Sequence, residues 1–112
     1  SWKALNLTGG EEMKYFMDTH GRTKGSWPKE VSEEEFLEIY AAFGEALEEI
    51  GGHVLGAHVN VKECKAFCFT WGPDADAIRR AHMKLNFPFD SITEVRQVTG
   101  ADLRPSPAKK QG

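Results

Sequence analysis

The stretch from Ser32 to Gly52 constrains the fold most. Ser32-Glu33-Glu34-Glu35 is a capping-box pattern: the serine hydroxyl accepts the Glu35 amide hydrogen, and the Glu35 side chain reaches back to the cap. Phe36, Ile39, Tyr40, Phe43, Leu47 and Ile50 follow at helical spacing. Such a stripe has to be buried against another layer. Gly51-Gly52 stops the helix, because glycine enters the left-handed region at little cost.

The layer that covers this stripe is legible on both sides of it. Met13–His20, MKYFMDTH, is short, aromatic and bounded by Gly21, which predicts a strand. Residues 21–31 carry two glycines, a proline and a tryptophan and form a loop longer than usual, as a functional loop or lid does. His53–Val61 alternates, with Leu55, Ala57, Val59 and Val61 on one side and Val54, Gly56, His58 and Asn60 on the other. Lys65–Trp71, KAFCFTW, is a third strand joined to it by a tight turn at Lys62-Glu63-Cys64. Gly72-Pro73-Asp74 opens a second helix with Ala77, Ile78, Ala81, His82 and Leu85 inward, and Phe87-Pro88-Phe89 ends it. Ser91–Val98 is a final β-branched strand.

The order βαββαβ, with right-handed crossovers, predicts a ferredoxin-like α+β sandwich. Four antiparallel strands form its sheet, and both helices cover one face. The bare face then expects a second copy packed sheet to sheet, a homodimer closing into an α+β barrel. The 112 residues accommodate one domain, placed at 13–103. Residues 1–12 read as a flexible arm and 104–112 as a flexible tail.

Composition narrows the function classes. Lysine plus arginine number 14 against 17 acidic residues, a net charge of −3. That is the wrong sign for a chain whose task is to neutralise phosphates, so no nucleic-acid partner is expected. No apolar run approaches the ~20 residues that cross a bilayer, so no membrane partner is expected. Within one strand Cys64 and Cys68 would stand about 13 Å apart, beyond disulfide reach. Both are read as reduced thiols in a cytoplasmic protein.

The chemistry-bearing residues are histidines, carboxylates and thiols. Asp18 and His20 share one face of the first strand. His58 lies opposite the apolar side of its own strand, which places it on the bare face, and Glu94 joins this set in a suitable register. Imidazole and carboxylate together suit a divalent transition metal. His82 sits on the inward stripe of the second helix, where Cys68 can face it, and imidazole with thiolate suits nickel, zinc or copper. If the two groups lie on opposite sides of the sheet, one ion cannot bind them all. The bland alternatives are a satisfied core histidine, a hydrogen-bonded Asp–His pair and a buried structural cysteine. No nucleophile elbow, phosphate-binding glycine loop or dinucleotide fingerprint is present.

FMDTH in the first strand, AFCFTWGPDADAIRRAH from the third strand into the second helix, and the ITEV strand together resemble the small nickel-binding, ferredoxin-like domain family. The resemblance implies a dimeric α+β barrel-like protein, nickel as cofactor, and His20, Cys68 and His82 at the matching positions. Asp18 and Glu94 match less distinctively, and His58 rests on the face argument alone. Three functions follow as expectations. The first is a non-catalytic divalent-metal protein for sequestration or sensing. The second is a small oxygenase- or isomerase-like enzyme acting on an apolar molecule in a sheet–helix pocket. The third is an interaction module working through the bare sheet.

Overall fold

A computed structural model describes residues 13–27 and 30–103. The arm at 1–12, the tail at 104–112 and part of the long loop lie outside the described residues. The elements are β1 (Lys14–Gly21), α1 (Glu33–Glu49), β2 (His53–Asn60), β3 (Lys65–Gly72), α2 (Ala75–Lys84), β4 (Ser91–Val95) and a one-turn α3 (Gly100–Leu103). The strands form one antiparallel sheet in the order β2-β3-β1-β4. This is the ferredoxin-like arrangement that the βαββαβ order predicts.

The caps show why each helix begins and ends where it does. Ser32 Oγ accepts the Glu35 amide at 3.1 Å, and Glu35 Oε1 accepts the Ser32 amide at 3.1 Å. That backbone hydrogen bond, followed by the one to the serine side chain, holds the Glu35 carboxyl below its ordinary value. At the far end Gly51 has φ 87°, and the Gly52 and Gly51 amides return to Leu47 O and Glu48 O, a Schellman motif. Gly52 has a second reason to be glycine: an added Cβ would stand 2.5 Å from Leu47 Cδ1 and 2.8 Å from the Trp71 carbonyl oxygen. Asp74 caps α2, its carboxylate accepting the Ala77 amide at 2.8 Å, and Pro73 lies just before the cap.

Two expectations of strand and connector shape are corrected. In β2 the register shifts between Val54 and Gly56, so Leu55 is a bulge residue without a partner on β3. The bulge reverses the alternation on one side of it. Val54 packs toward the helices with Val59, while Leu55 stands 44% exposed. β4 ends at Val95, three residues short of the expected end at Val98, and α3 begins only at Gly100.

The core lies between sheet and helices. Phe36, Phe43 and Leu47 of α1, Ile78 and Ala81 of α2, Phe16 of β1 and Ala66 of β3 are buried together with Trp27 and Phe87. Trp27 stacks on Phe36 at 4.9 Å, so the long loop is anchored into the core at its aromatic residue.

Candidate metal centre

Strand pairing decides which residues meet. Asp18 is opposite Cys68 in the β1–β3 register and opposite Ile92 in the β1–β4 register. Phe16, Asp18 and His20 therefore share the helix-packed face with Ala66, Cys68 and Thr70, all of them buried. This differs from the expected grouping of Asp18 and His20 with His58 on the bare face. His58 is exposed opposite Phe67, and Glu94 is exposed on the edge strand opposite Phe16. His82 comes down from α2 and Cys68 up from β3, so Asp18, His20, Cys68 and His82 converge on one side of the sheet.

Asp18 Oδ2 is the centre of the cluster. His20 Nε2 and His82 Nε2 each stand 2.9 Å from it. The other nitrogen of each ring faces a backbone oxygen: His20 Nδ1 is 2.6 Å from Pro88 O, and His82 Nδ1 is 2.8 Å from Ile78 O. A carbonyl oxygen can only accept, so each Nδ1 carries a proton and donates it. Three states of the Nε2 pair follow, and in the mixed one a single Nε2–H donates to the carboxylate and the trio is neutral. With both Nε2 protonated, the carboxylate accepts two charge-assisted bonds and the trio carries one net positive charge. With both bare, two lone pairs and a carboxylate oxygen converge, and only a cation between them makes that arrangement stable.

The remaining atoms fit a cation. Asp18 Oδ1 is buried with no hydrogen-bond partner, an uncommon condition for a buried carboxylate. Ligand atoms from Asp18, His20 and Cys68 all lie within 4.8 Å of one another. Burial pushes the Asp18 carboxyl up, but the hydrogen bonds from His20 and His82 and the charge on both rings outweigh it and hold the group below its ordinary value. Burial, then the carboxylate beside it, pushes the Cys68 thiol well up, so sulfur keeps its proton until a cation displaces it. A divalent ion held by the Asp18 carboxylate, the Cys68 thiolate and the neutral His20 imidazole would make a set of zero net charge, which suits a site without water, and His82 Nε2 stands 2.9 Å from the same carboxylate oxygen. Both rings present the Nδ1–H to a carbonyl, the outer-layer arrangement that orients a metal-binding imidazole.

Aromatic rings enclose the cluster. Phe87 stacks on His20 at 4.4 Å and 6°, Phe43 lies 4.3 Å from His82, and Phe89 lies 4.9 Å from His82. Tyr40 closes the side toward β2, its hydroxyl donating to Gly56 O at 2.6 Å beside the bulge. Sequence reasoning named the ligand-type residues but took Phe87-Pro88-Phe89 only as a helix end. The signal was an aromatic–proline–aromatic run directly after a helix whose inward stripe holds a histidine. Tyr40 was assigned to the apolar stripe, and nothing in the sequence marks its hydroxyl. His53, the first residue of β2, is exposed with Nδ1 3.3 Å from Glu48 Oε2, apart from the buried cluster.

The fold and this donor set define a ferredoxin-like α+β domain with a buried carboxylate–imidazole–thiol cluster. Residues 16–95 match the family described as "Nickel responsive protein SCO4226-like", and the chain belongs to that family. Among solved structures it is similar to SCO4226 from Streptomyces coelicolor A3(2), at 22% identity and a TM-score of 0.64, over 76% of this chain and 99% of that one. It is also similar to the structural-genomics protein YJCS, at 9% identity and a TM-score of 0.52, over 77% of this chain and 99% of that one. At these identities the likenesses speak for the fold. No curated protein matches the chain. No helix among the described residues is long and apolar enough to cross a membrane.

Proposed function

We propose that the chain binds a divalent transition metal ion, nickel in the first instance, for sequestration or sensing in the cytoplasm and without bond-making chemistry. Asp18, His20, His82 and Cys68 would hold the ion. The observation that carries the reading is the convergence of two imidazole Nε2 atoms on one carboxylate oxygen while both Nδ1 atoms are committed to carbonyls. The family's description supports nickel as the first ion to test. The rings of Phe43, Phe87 and Phe89 pack directly on His82, which favours a binding site over an enzyme with a substrate chamber there. His58 and Glu94 are proposed to take no part, since both are exposed and apart from the buried set.

Calorimetric titration of metal-free, tag-free chain with nickel and with zinc tests this. Saturable uptake of a single ion per chain is expected, with heats that change with buffer because a proton leaves the Cys68 sulfur. His82→Gln and Cys68→Ser should each weaken binding about 100-fold or more. Absence of saturable binding by the parent removes the proposal.

The bare sheet face favours a homodimer. Tyr15, Leu55 and Phe67 are each more than two-fifths exposed, and Met17, Phe69 and Trp71 lie half-buried beside them. Tyr15 stacks on Phe69 at 5.6 Å, so the patch is preordered. A contiguous aromatic surface of this kind is ordinarily covered, and a second copy supplies a matching one by two-fold symmetry. Sedimentation velocity should show a dimer with or without chelator. A monomer at every concentration up to the solubility limit counts against it.

A further inference from the structure

The candidate ligands are sealed in. Asp18, Cys68 and His82 have no exposed surface and His20 has 2%. A hydrated ion reaches them only if some element moves. Three walls belong to the cooperative core: the sheet, the capped helix α1, and α2, which carries His82. The fourth wall is the connector between α2 and β4, and it is built differently.

That connector begins at a hinge. Asn86 has φ 53°, a left-handed conformation that asparagine tolerates better than most residues. The amides of Asn86 and Phe87 return to Met83 O and His82 O, so α2 ends in a Schellman motif at this point. The next backbone amide tied down is that of Asp90, which donates to Thr19 O at 2.7 Å. Between these anchors the chain is fastened by side chains. Pro88 O accepts the His20 Nδ1 proton at 2.6 Å, and Phe89 rests half-buried on His82. At the far end the Asp90 carboxylate accepts a hydrogen bond from Ser26 Oγ, which ties the connector to the long loop. Outside lies a shallow groove lined by Met83, Asn86, Phe87, Pro88 and Phe89.

We infer that Pro88–Asp90 is a strap that opens at Asn86 and at the Ser26–Asp90 latch to admit and release the ion. The inference rests on the metal-binding reading and adds its route and regulation. Opening does two things together. It uncovers His82, and it takes away the carbonyl that fixes the His20 tautomer. The open strap therefore admits the ion to a weakened site, and closing restores the tautomer and excludes water. Exchange is then set by strap opening, while affinity is set by the closed form.

Two readouts test this, one of them independent of metal. In metal-free protein, deuterium exchange at the His82 C2–H, followed by mass spectrometry, should be slow beside that of exposed His53. Phe89→Ala removes the cover, and Asp90→Ala removes the latch while Ser26 Oγ keeps its bonds to the Gly21 backbone, so neither touches a ligand. Each should speed His82 exchange about five- to thirtyfold. Nickel uptake and release, followed by stopped-flow tryptophan quenching, should quicken by similar factors, so the dissociation constant moves much less than either rate. Met83→Ala, on the outer rim, should change neither readout. Phe89→Leu serves where the alanine variant fails to fold, with a smaller effect in the same direction. Parental His82 exchange in folded Phe89→Ala or Phe89→Leu protein overturns the strap. A parent that takes up no nickel overturns the metal reading, and the strap is then still judged by His82 exchange.

Discussion

Successive residues of β1 serve two surfaces with inverted chemistry. Phe16, Asp18 and His20 face the helices, and Tyr15, Met17 and Thr19 face away. The sheltered side holds a carboxylate, two imidazoles and a thiol at or near zero exposure. The uncovered side holds Tyr15, Phe67 and Leu55, each more than 40% exposed. Folding alone favours the opposite distribution, because buried charge costs several kcal/mol per ion and uncovered aromatic area forfeits about 25 cal/mol per Å². Each side therefore points to something beyond the single chain. The polar interior accounts for itself if it receives an ion, and the apolar exterior if it receives a second sheet.

Asp18→Asn should break the interior half of this contrast with the largest effect. It removes the one negative charge that holds His20 Nε2 and His82 Nε2, and leaves an amide whose NH₂ can only donate. Breaking a buried pair in this way costs about 3–5 kcal/mol, read by urea unfolding of metal-free protein at neutral pH. The same variant fixes a sign. Asp18 is held below its ordinary value in the folded chain, so its ionisation contributes fully above about pH 4. That contribution is lost as the pH falls below the unfolded value and through the depressed folded one. Asp18→Asn should flatten the acid limb of the parental stability profile. An unchanged acid limb would mean that other carboxylates carry it.

Phe16→Ala and Tyr15→Ala form a matched pair of neighbours. Phe16 is 1% exposed within the core cluster, and its loss should cost about 3–5 kcal/mol at any protein concentration. Tyr15 should cost about 1 kcal/mol or less in the monomer, while raising the concentration at which the chain self-associates. Equal costs for the two, both independent of concentration, would mean that the outer face is an ordinary surface with no second sheet upon it.

How much of this was legible in the sequence follows from what periodicity encodes. Capping residues act within one turn, so Ser32, Glu35 and Gly51 disclosed the ends of α1 without tertiary information. Alternation in FMDTH likewise put Asp18 and His20 on one face with Phe16. Alternation does not say which face meets the helices, and polarity pointed the wrong way for Asp18 and His20. Phe16 was the better guide, since a phenylalanine and an inward His82 have to share a layer. The Asp18–Cys68 register belongs to strand pairing across 50 residues of chain, which no local pattern records. Pro88 contributes a backbone oxygen, and side-chain identity cannot announce that.

Leu55 gives the mildest and most diagnostic test of the two-sided arrangement. It is the residue without a partner between Val54↔Thr70 and Gly56↔Phe69. Deleting it should let those two pairs become consecutive, so that Val54, Ala57 and Val59 keep the helix side and His58 keeps the outer side. The expected cost is about 1 kcal/mol, chiefly from disturbing the Tyr40 hydrogen bond to Gly56 O. Were the alternation through Leu55 the true one, the same deletion would turn Ala57 and Val59 to solvent and cost several kcal/mol. A mild loss in urea unfolding thus supports the bulge, and a severe one means that β2 is regular and presents Leu55 inward.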